Sequence, residues 1–255
     1  EQIRKRLYSV AEKRFDTVLE ELVAEMDLLK LPWNADQSGP KGSIAQKMFG
    51  AVADSEVFVT PMAAVAGAVA DEMLETMLVE AKKPDSCIDH VRKMYVNNGG
   101  DIAFWLNEGE SFSIGVVDNP QIPELNAKVS LAHESQVRGI ATSGWRGRSL
   151  SLGIADAVTV LAKSAAVADV AATLIANEVI VDFPGIEKRP ASEVKDDSDL
   201  GMIPVTVAVP DLAEDKISMA LEQGAKTARK FIKAGKITAA YLSLQKQTLV
   251  IDNQL

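Results

Sequence analysis

Asp169 and Thr173 stand four residues apart in "AKSAAVADVAATLIAN", so on a helix they project from one face, a carboxylate above a hydroxyl. Two hard oxygen donors at that spacing suit Mg²⁺, which keeps few protein ligands and fills its octahedron with water and substrate phosphate. The competing reading is a solvated acid and a threonine bonded back into its own helix. A second candidate is "GIATSGWRGRS", Gly139 to Ser149. Here Gly144 frees backbone amides, Thr142 and Ser143 add hydroxyls, Arg146 and Arg148 neutralise phosphate, and Trp145 can stack on a flat ring. The same residues also read as a polar loop whose Trp145 closes the core edge. In "NNGGDIAFWL", Gly99 and Gly100 permit positive φ and close approach of backbone to a ligand, between Asn97, Asn98 and Asp101. Asn-Gly is equally ordinary hairpin chemistry.

Other reactive residues are sparse. His90 and His133 are the only histidines, and neither has a metal-ligand spacing with the other. Cys87, in "DSCIDH", is the lone cysteine; it excludes an intrachain disulfide and a Cys-rich metal site and fits a reducing, cytoplasmic compartment. "KDDSDLG" contributes Asp196, Asp197 and Asp199, read as a solvated acidic loop. No nucleophile elbow, Walker loop or dinucleotide fingerprint is present. A formal net charge of -9 argues against nucleic-acid phosphates and anionic membranes, and no apolar run reaches the ~18 residues of a membrane span. A small ligand, anionic if a local basic patch meets it, or a protein is the expected partner.

The elements that must position these residues follow from periodicity. Ile3, Leu7, Val10, Phe15, Val18, Leu22, Met26 and Leu29 predict an amphipathic helix, and "PWNADQSGPKGS" predicts a mobile loop. Residues 1–56 therefore form a helical part with a flexible loop, ahead of a core over 57–255 in one domain. Thr60 and Pro61 open a small-residue helix through "MAAVAGAVADEMLETMLVEA", whose exposed Ala and Gly face would suit a homodimer. After Val91 come short strands with short connections, "KMYVN", "DIAFWL", "SFSIGVV", "AKVSLA", "VRGIAT" and "IADAVTVLA", then a terminal pair, "ITAAYLSL" and "QTLVID". The fold class is α+β, with mainly antiparallel sheets packed against helices. Val158-Thr159-Val160 aligns with Val205-Thr206-Val207, each leading into a helix, which predicts a duplicated strand-helix unit. In the second copy Lys216 and Ala220 replace Asp169 and Thr173, so the chemistry belongs to the first.

Three segments together resemble the flavin-transferase superfamily typified by ApbE, the FAD:protein FMN transferase. They are Val96-Asn97-Asn98-Gly99-Gly100-Asp101, Ala141-Thr142-Ser143-Gly144, and the strand and helix of "AVTVLAKSAAVADVAAT". "TPMAAVAGAVADE", "GIATSGWRGRSLSLGIADAVTVLA" and "DSDLG" are similar to a smaller branch of that superfamily, found largely in archaea and anaerobic bacteria. The resemblance implies an ApbE-like, T-fold-like architecture. It also implies Mg²⁺ at Asp169 and Thr173 bridging to an FAD or FMN phosphate. Asn97, Asn98, Gly99, Gly100 and Asp101 would form one wall of the nucleotide pocket, and Thr142, Ser143, Gly144, Trp145 and Arg148 the other.

Established transferases carry a His-Ile-x-Asp-Pro-x-Thr-Gly segment before the strand. Here the chain runs from "RGRS" through Leu150, Ser151, Leu152 and Gly153 into "IADAVTV", so that element is absent. Arg146 would then stabilise phosphoryl charge, and Asp101 or Asp156 would assist deprotonation of a threonine hydroxyl on an acceptor protein. A guanidinium does not relay protons at neutral pH. The resemblance also admits a non-catalytic accessory role in sulfur assimilation and homocysteine synthesis of anaerobes, with Cys87 or a protein interface as the working part.

Overall fold

The computed structural model describes residues 1–83, 91–117 and 125–253, so Cys87 and His90 lie outside the described residues. The amphipathic N-terminus forms α1 (Gln2–Ala24), which breaks at Glu25 and adds one turn, α2 (Met26–Leu29). A further helix, α3 (Ser43–Val52), follows within the part read as helix and loop. Ile44, Met48 and Val52, at helical spacing, are fully buried in it. The Pro- and Gly-rich stretch between is pinned at its end, where Glu25 accepts the amides of Lys41 and Gly42, the latter at 2.7 Å. A 3₁₀ turn (Pro61–Ala64) leads into α4 (Val65–Ala81).

The strands are β1 (Lys93–Asn98), β2 (Asp101–Leu106), β3 (Ser111–Val116), β4 (Ala127–Ala132), β5 (Gly139–Ser143) and β6 (Ala157–Ala162). Then come α5 (Ala165–Asn177), β7 (Glu187–Pro190), α6 (Ala191–Val194), β8 (Pro204–Ala208), α7 (Glu214–Lys233), β9 (Ile237–Leu244) and β10 (Gln247–Asp252). Six strands form one antiparallel sheet in the order β1-β2-β5-β6-β9-β10, while β3–β4 and β7–β8 are separate two-stranded ladders. The class is α+β. Both strand-helix units form, but in different settings: β6 is central in the large sheet, whereas β8 pairs with β7 outside it.

On one face of the sheet α4 covers β1 and β2, α5 covers β5 and β6, and α7 covers β9 and β10; α1 and α3 pack outside α4. On the other face the β3–β4 ribbon packs Phe112, Ile114 and Leu131 against Phe104, Leu106 and Ile140.

The small residues of α4 are spent inside the chain. Gly67, Ala68 and Ala70 are buried, and a Cβ on Gly67 would lie 2.3 Å from the Ala165 carbonyl oxygen. The face that the sequence offers to a second copy is therefore taken by α5. Contact this close lets the helices exchange carboxylates. Asp71 of α4 accepts the Ala165 and Ala166 amides of α5 at 3.0 and 2.9 Å, and Asp169 of α5 accepts the Gly67 amide of α4 at 3.0 Å. Ser164 completes the α5 cap by accepting from the Val167 amide at 3.3 Å. Amides that a helix start leaves unpaired are thereby satisfied across the contact.

Gly67→Ala should cost about 2 kcal/mol by forcing the helices apart. At this chain length that is a fall of about 4–8 °C in calorimetric melting temperature. Gly50→Ala, with nothing within 4 Å, should instead be neutral or stabilising by up to about 1 kcal/mol.

Candidate functional site

The β1–β2 turn, the end of β5, the entry to β6 and the first turns of α4 and α5 meet at one end of the large sheet. Asn98 faces Asp101 across a two-residue turn in which Gly99 and Gly100 have φ of 72° and 115°. Asn97 accepts the Gly100 amide at 2.9 Å, and Asn98 donates to the Ala66 carbonyl at 3.1 Å, tying the turn to the start of α4. Turn chemistry and a cavity wall thus coincide. Gly99 has a second reason to be glycine, because a Cβ there would lie 1.7 Å from the Arg148 Nη2.

Two cavities adjoin at this end, one of about 970 Å³ and one of about 230 Å³, sharing Ala66, Ser149 and Lys195 as common wall. Asn97, Gly99, Gly100 and Asp101 line the larger on one side; Thr142, Ser143, Gly144 and Arg148 line it on the other. Ile102, Ile114, Ile140 and Val116 give it an apolar floor. Asp169 and Thr173 line the smaller cavity with Thr60, Asn177 and Asp199. Asn98 and Trp145 line neither.

Strand alternation decides which face of the sheet each group takes. Ile102 pairs with Ile140, and Thr142 with Thr159, so these side chains share the ribbon face, where the two threonine hydroxyls meet at 2.8 Å. Asp101 and Ser143, each one residue away, turn toward α5 instead. Thr173 Oγ1 donates to Ser143 Oγ at 3.5 Å. Asp101 is buried, accepts the Thr142 amide with its carboxylate, and leaves Oδ1 without a hydrogen-bond partner among the described residues. Burial pushes its pKa up to about 6, against the pull of the Arg148 guanidinium. Asp169 is raised well above the usual carboxylate range, by burial first and then by the negative charge of Asp101, although the Gly67 and Ala66 amides oppose this.

The remaining candidates form a clamp. Asp156 Oδ1 accepts from Trp145 Nε1 at 3.1 Å and from Arg146 Nε at 2.6 Å, while its Oδ2 accepts the Gln245 amide of the β9–β10 turn at 2.6 Å. The Arg146 guanidinium sits 4.5 Å above the Trp145 ring. Asp156 and Arg146 border the large cavity, but both are committed to holding the loop, and Trp145 has one ring face covered. The Arg148 and Lys195 side chains, by contrast, have no hydrogen-bond or ion-pair partner among the described residues.

Sequence reasoning missed Lys195 and the Thr60–Asp199 pair, whose hydroxyl donates to the carboxylate. Asp199 belongs to the stretch read as a solvated acidic loop. Nothing local distinguishes it, since its partner is 139 residues away.

The raised Asp101 pKa predicts an inverse pH dependence. A carboxyl that titrates higher folded than unfolded contributes its stability fully below about 4, the unfolded value, and loses it as pH rises through about 6. Asp169 acts with the same sign. In metal-free protein the melting temperature should fall over that window, and Asp101→Asn should flatten the fall; carbon NMR of the aspartate carboxyls should find one titrating near 6.

A family model described as "AbpE bacteria" matches residues 1–250. Similar curated proteins carry the name UPF0280 protein. One from Methanobrevibacter smithii is 36% identical over 150 residues, covering 58% of this chain and 57% of its own. One from Methanopyrus kandleri is 34% identical over 151 residues, covering 59% and 56%. One from Methanocaldococcus jannaschii is 32% identical over 128 residues, covering 50% and 48%. The match thus spans about half the length of these relatives. A crystal structure described as the ApbE protein from Thermotoga maritima aligns with a TM-score of 0.45 at 14% identity, over 100% of this chain and 76% of that one.

Proposed function

This chain belongs to the family described as AbpE bacteria, an ApbE-like family, and on that premise we propose that it binds a pyrophosphate-bearing nucleotide, a flavin nucleotide first among them, with Mg²⁺ at Asp169 and Thr173. One observation carries the reading: a cavity of about 970 Å³ shares the wall formed by Ala66, Ser149 and Lys195 with the smaller cavity that holds the Asp169–Thr173 pair. That volume is at the upper end of small-molecule sites and accommodates a dinucleotide.

The donor set fits a hard cation. Every candidate ligand is oxygen, and the buried, unpartnered Asp101 Oδ1 is an acceptor in search of a positive charge. Among the described residues no group of three His, Cys, Asp or Glu could hold a metal, so a cation here would complete its shell with water and phosphate, as Mg²⁺ does. When bound, it would screen phosphate charge. Arg148, resting on Gly99, and Lys195, on the shared wall, would meet the phosphate oxygens with charge-assisted hydrogen bonds. Thr142 and Thr159 would offer hydroxyls to polar ligand edges, and Ile102, Ile114 and Ile140 would take an apolar ring.

Transfer of FMN to an acceptor protein is the finer reading. Of the groups considered for deprotonation, Asp156 is engaged through both oxygens, which leaves Asp101, with its pKa near 6 and a free Oδ1. Binding is therefore better supported than transfer. Cys87, on which the sulfur-assimilation reading rests, lies outside the described residues.

Calorimetry with FAD, with and without Mg²⁺, and with riboflavin as a phosphate-free control, tests the reading. FAD should bind tightly only with Mg²⁺, and riboflavin weakly in either case. Asp169→Asn keeps an oxygen acceptor for the Gly67 amide while removing the charge, and should abolish the Mg²⁺ dependence. Lys195→Met and Arg148→Met should each weaken FAD by about 10- to 100-fold, the worth of one charged hydrogen bond. FAD affinity indifferent to Mg²⁺ and to all three substitutions would remove this site.

A further inference from the structure

Past the buried Ala191, the chain to Gly201 forms a surface loop whose two ends meet. The Ser192 amide donates to the Gly201 carbonyl at 2.9 Å, and the Ala191 amide to the Ile203 carbonyl at 3.0 Å, next to the β7–β8 ladder. Inside the loop the Lys195 amide donates to the Ala191 carbonyl and the Leu200 amide to the Ser198 hydroxyl. A compact loop closed at its base in this way is free to swing as one piece. No side chain from Glu193 to Met202 is buried, so the tip has no anchor in the core.

Two polar catches hold the tip down, and both come from the N-terminal part of the chain. Lys30, at the carboxyl end of α2, donates through Nζ to the Asp197 carbonyl at 2.9 Å and pairs with the Asp197 carboxylate at 2.5 Å. The Thr60 hydroxyl donates to the Asp199 carboxylate. Among the described residues these are the only hydrogen bonds from the tip to the rest of the chain. The Asp197 side chain is 90% exposed, which makes the first catch weak; Thr60 is buried, which makes the second the stronger. Asp197, where Lys30 takes hold, has a φ of 60°, the left-handed region that few residues other than glycine enter.

What the tip covers is the smaller cavity. Asp197, Ser198, Asp199 and Leu200 form part of its wall, together with Asp169 and Thr173 of α5. The same loop carries Lys195, which borders both cavities. We propose that residues 192–201 are a lid over the smaller cavity, with Lys30 and Thr60 as its catches, and that fastening the lid sets Lys195 on the wall between the cavities. The lid stands on the geometry of this chain alone; the use of Lys195 as a phosphate partner rests on the nucleotide reading above. Lowered, the lid shuts water away from the Asp169–Thr173 pair and presents Lys195 to the phosphate; raised, it uncovers the pair.

Hydrogen exchange of the full chain, read by mass spectrometry without nucleotide, tests the lid. Thr60→Val should speed exchange over residues 195–203 by about 10-fold or more, and Lys30→Met by about 3-fold, with α5 and α7 unchanged. Asp199→Ala opens the same catch from the other side, so it should match Thr60→Val, and the double variant should be no faster than either. Lys30→Arg, which keeps the pair, should exchange as the wild type does. Saturating FAD with Mg²⁺ should slow exchange of the loop by about 10-fold or more, and Lys195→Met at saturating FAD should remove that protection. Loop exchange indifferent to Thr60→Val and Asp199→Ala would overturn the lid, as would faster exchange spreading through α5 and α7. Bound FAD that leaves the loop unprotected would overturn the part given to Lys195. Wild-type protein that binds no FAD in calorimetry would remove the nucleotide reading and that part with it, and the nucleotide-free exchange would still decide the lid.

Discussion

Everything at the sheet end hangs on the contact of α4 with α5. Gly67 lets the Ala165 backbone come close enough for Asp71 to reach the first amides of α5 and for Asp169 to reach the first turn of α4. Each carboxylate meets the positive end of the other helix, so two acids are held half-buried by backbone amides, with no cationic side chain hydrogen-bonded to either. Asp169 is therefore fixed by the same hydrogen bond that fixes the helix pair. Its neighbours Asn98, through Ala66, and Ser143, through Thr173, are drawn in around it.

That arrangement concentrates negative charge. Asp101 and Asp169 both sit where burial raises the carboxyl pKa, and the charge of Asp101 adds to the effect on Asp169. The cations that could relieve this are set back: Arg148 rests on the glycine turn, Lys195 on the wall between the cavities, and Arg146 is already paired with Asp156. The proposed metal ion with a phosphate attached would supply the positive charge that these acids lack and would meet the two cations set back from them. The clamp of Asp156, Trp145 and Arg146 serves that geometry by fixing the loop that carries Arg148 to the β9–β10 turn.

Much of the fold was legible because the signals were local. "DIAFWL", "ITAAYLSL" and "QTLVID" are β2, β9 and β10 without a residue's difference, since alternation and flanking turn residues marked both ends. Helix α3 escaped because its ten residues follow prolines and glycines that dominate the reading, and its burial is set by α4 and α5. For the site, helical spacing was enough to bring Asp169 and Thr173 together. Arg146 and Arg148 were not separable by sequence: they are two residues apart in one loop, and only the position of Asp156 commits the first and leaves the second free. Lys195 and Asp199 were invisible for a similar reason, because what makes them cavity residues is contact with Thr60, Ala66 and Ser149 far along the chain.

The most direct test is anomalous diffraction from crystals grown with FAD and Mn²⁺ in place of Mg²⁺. The account predicts one manganese peak in contact with the Asp169 carboxylate and the Thr173 hydroxyl, with nucleotide density in the larger cavity and its phosphates toward Lys195 and Arg148. Nucleotide bound without metal at Asp169, or manganese bound at another place, would contradict it.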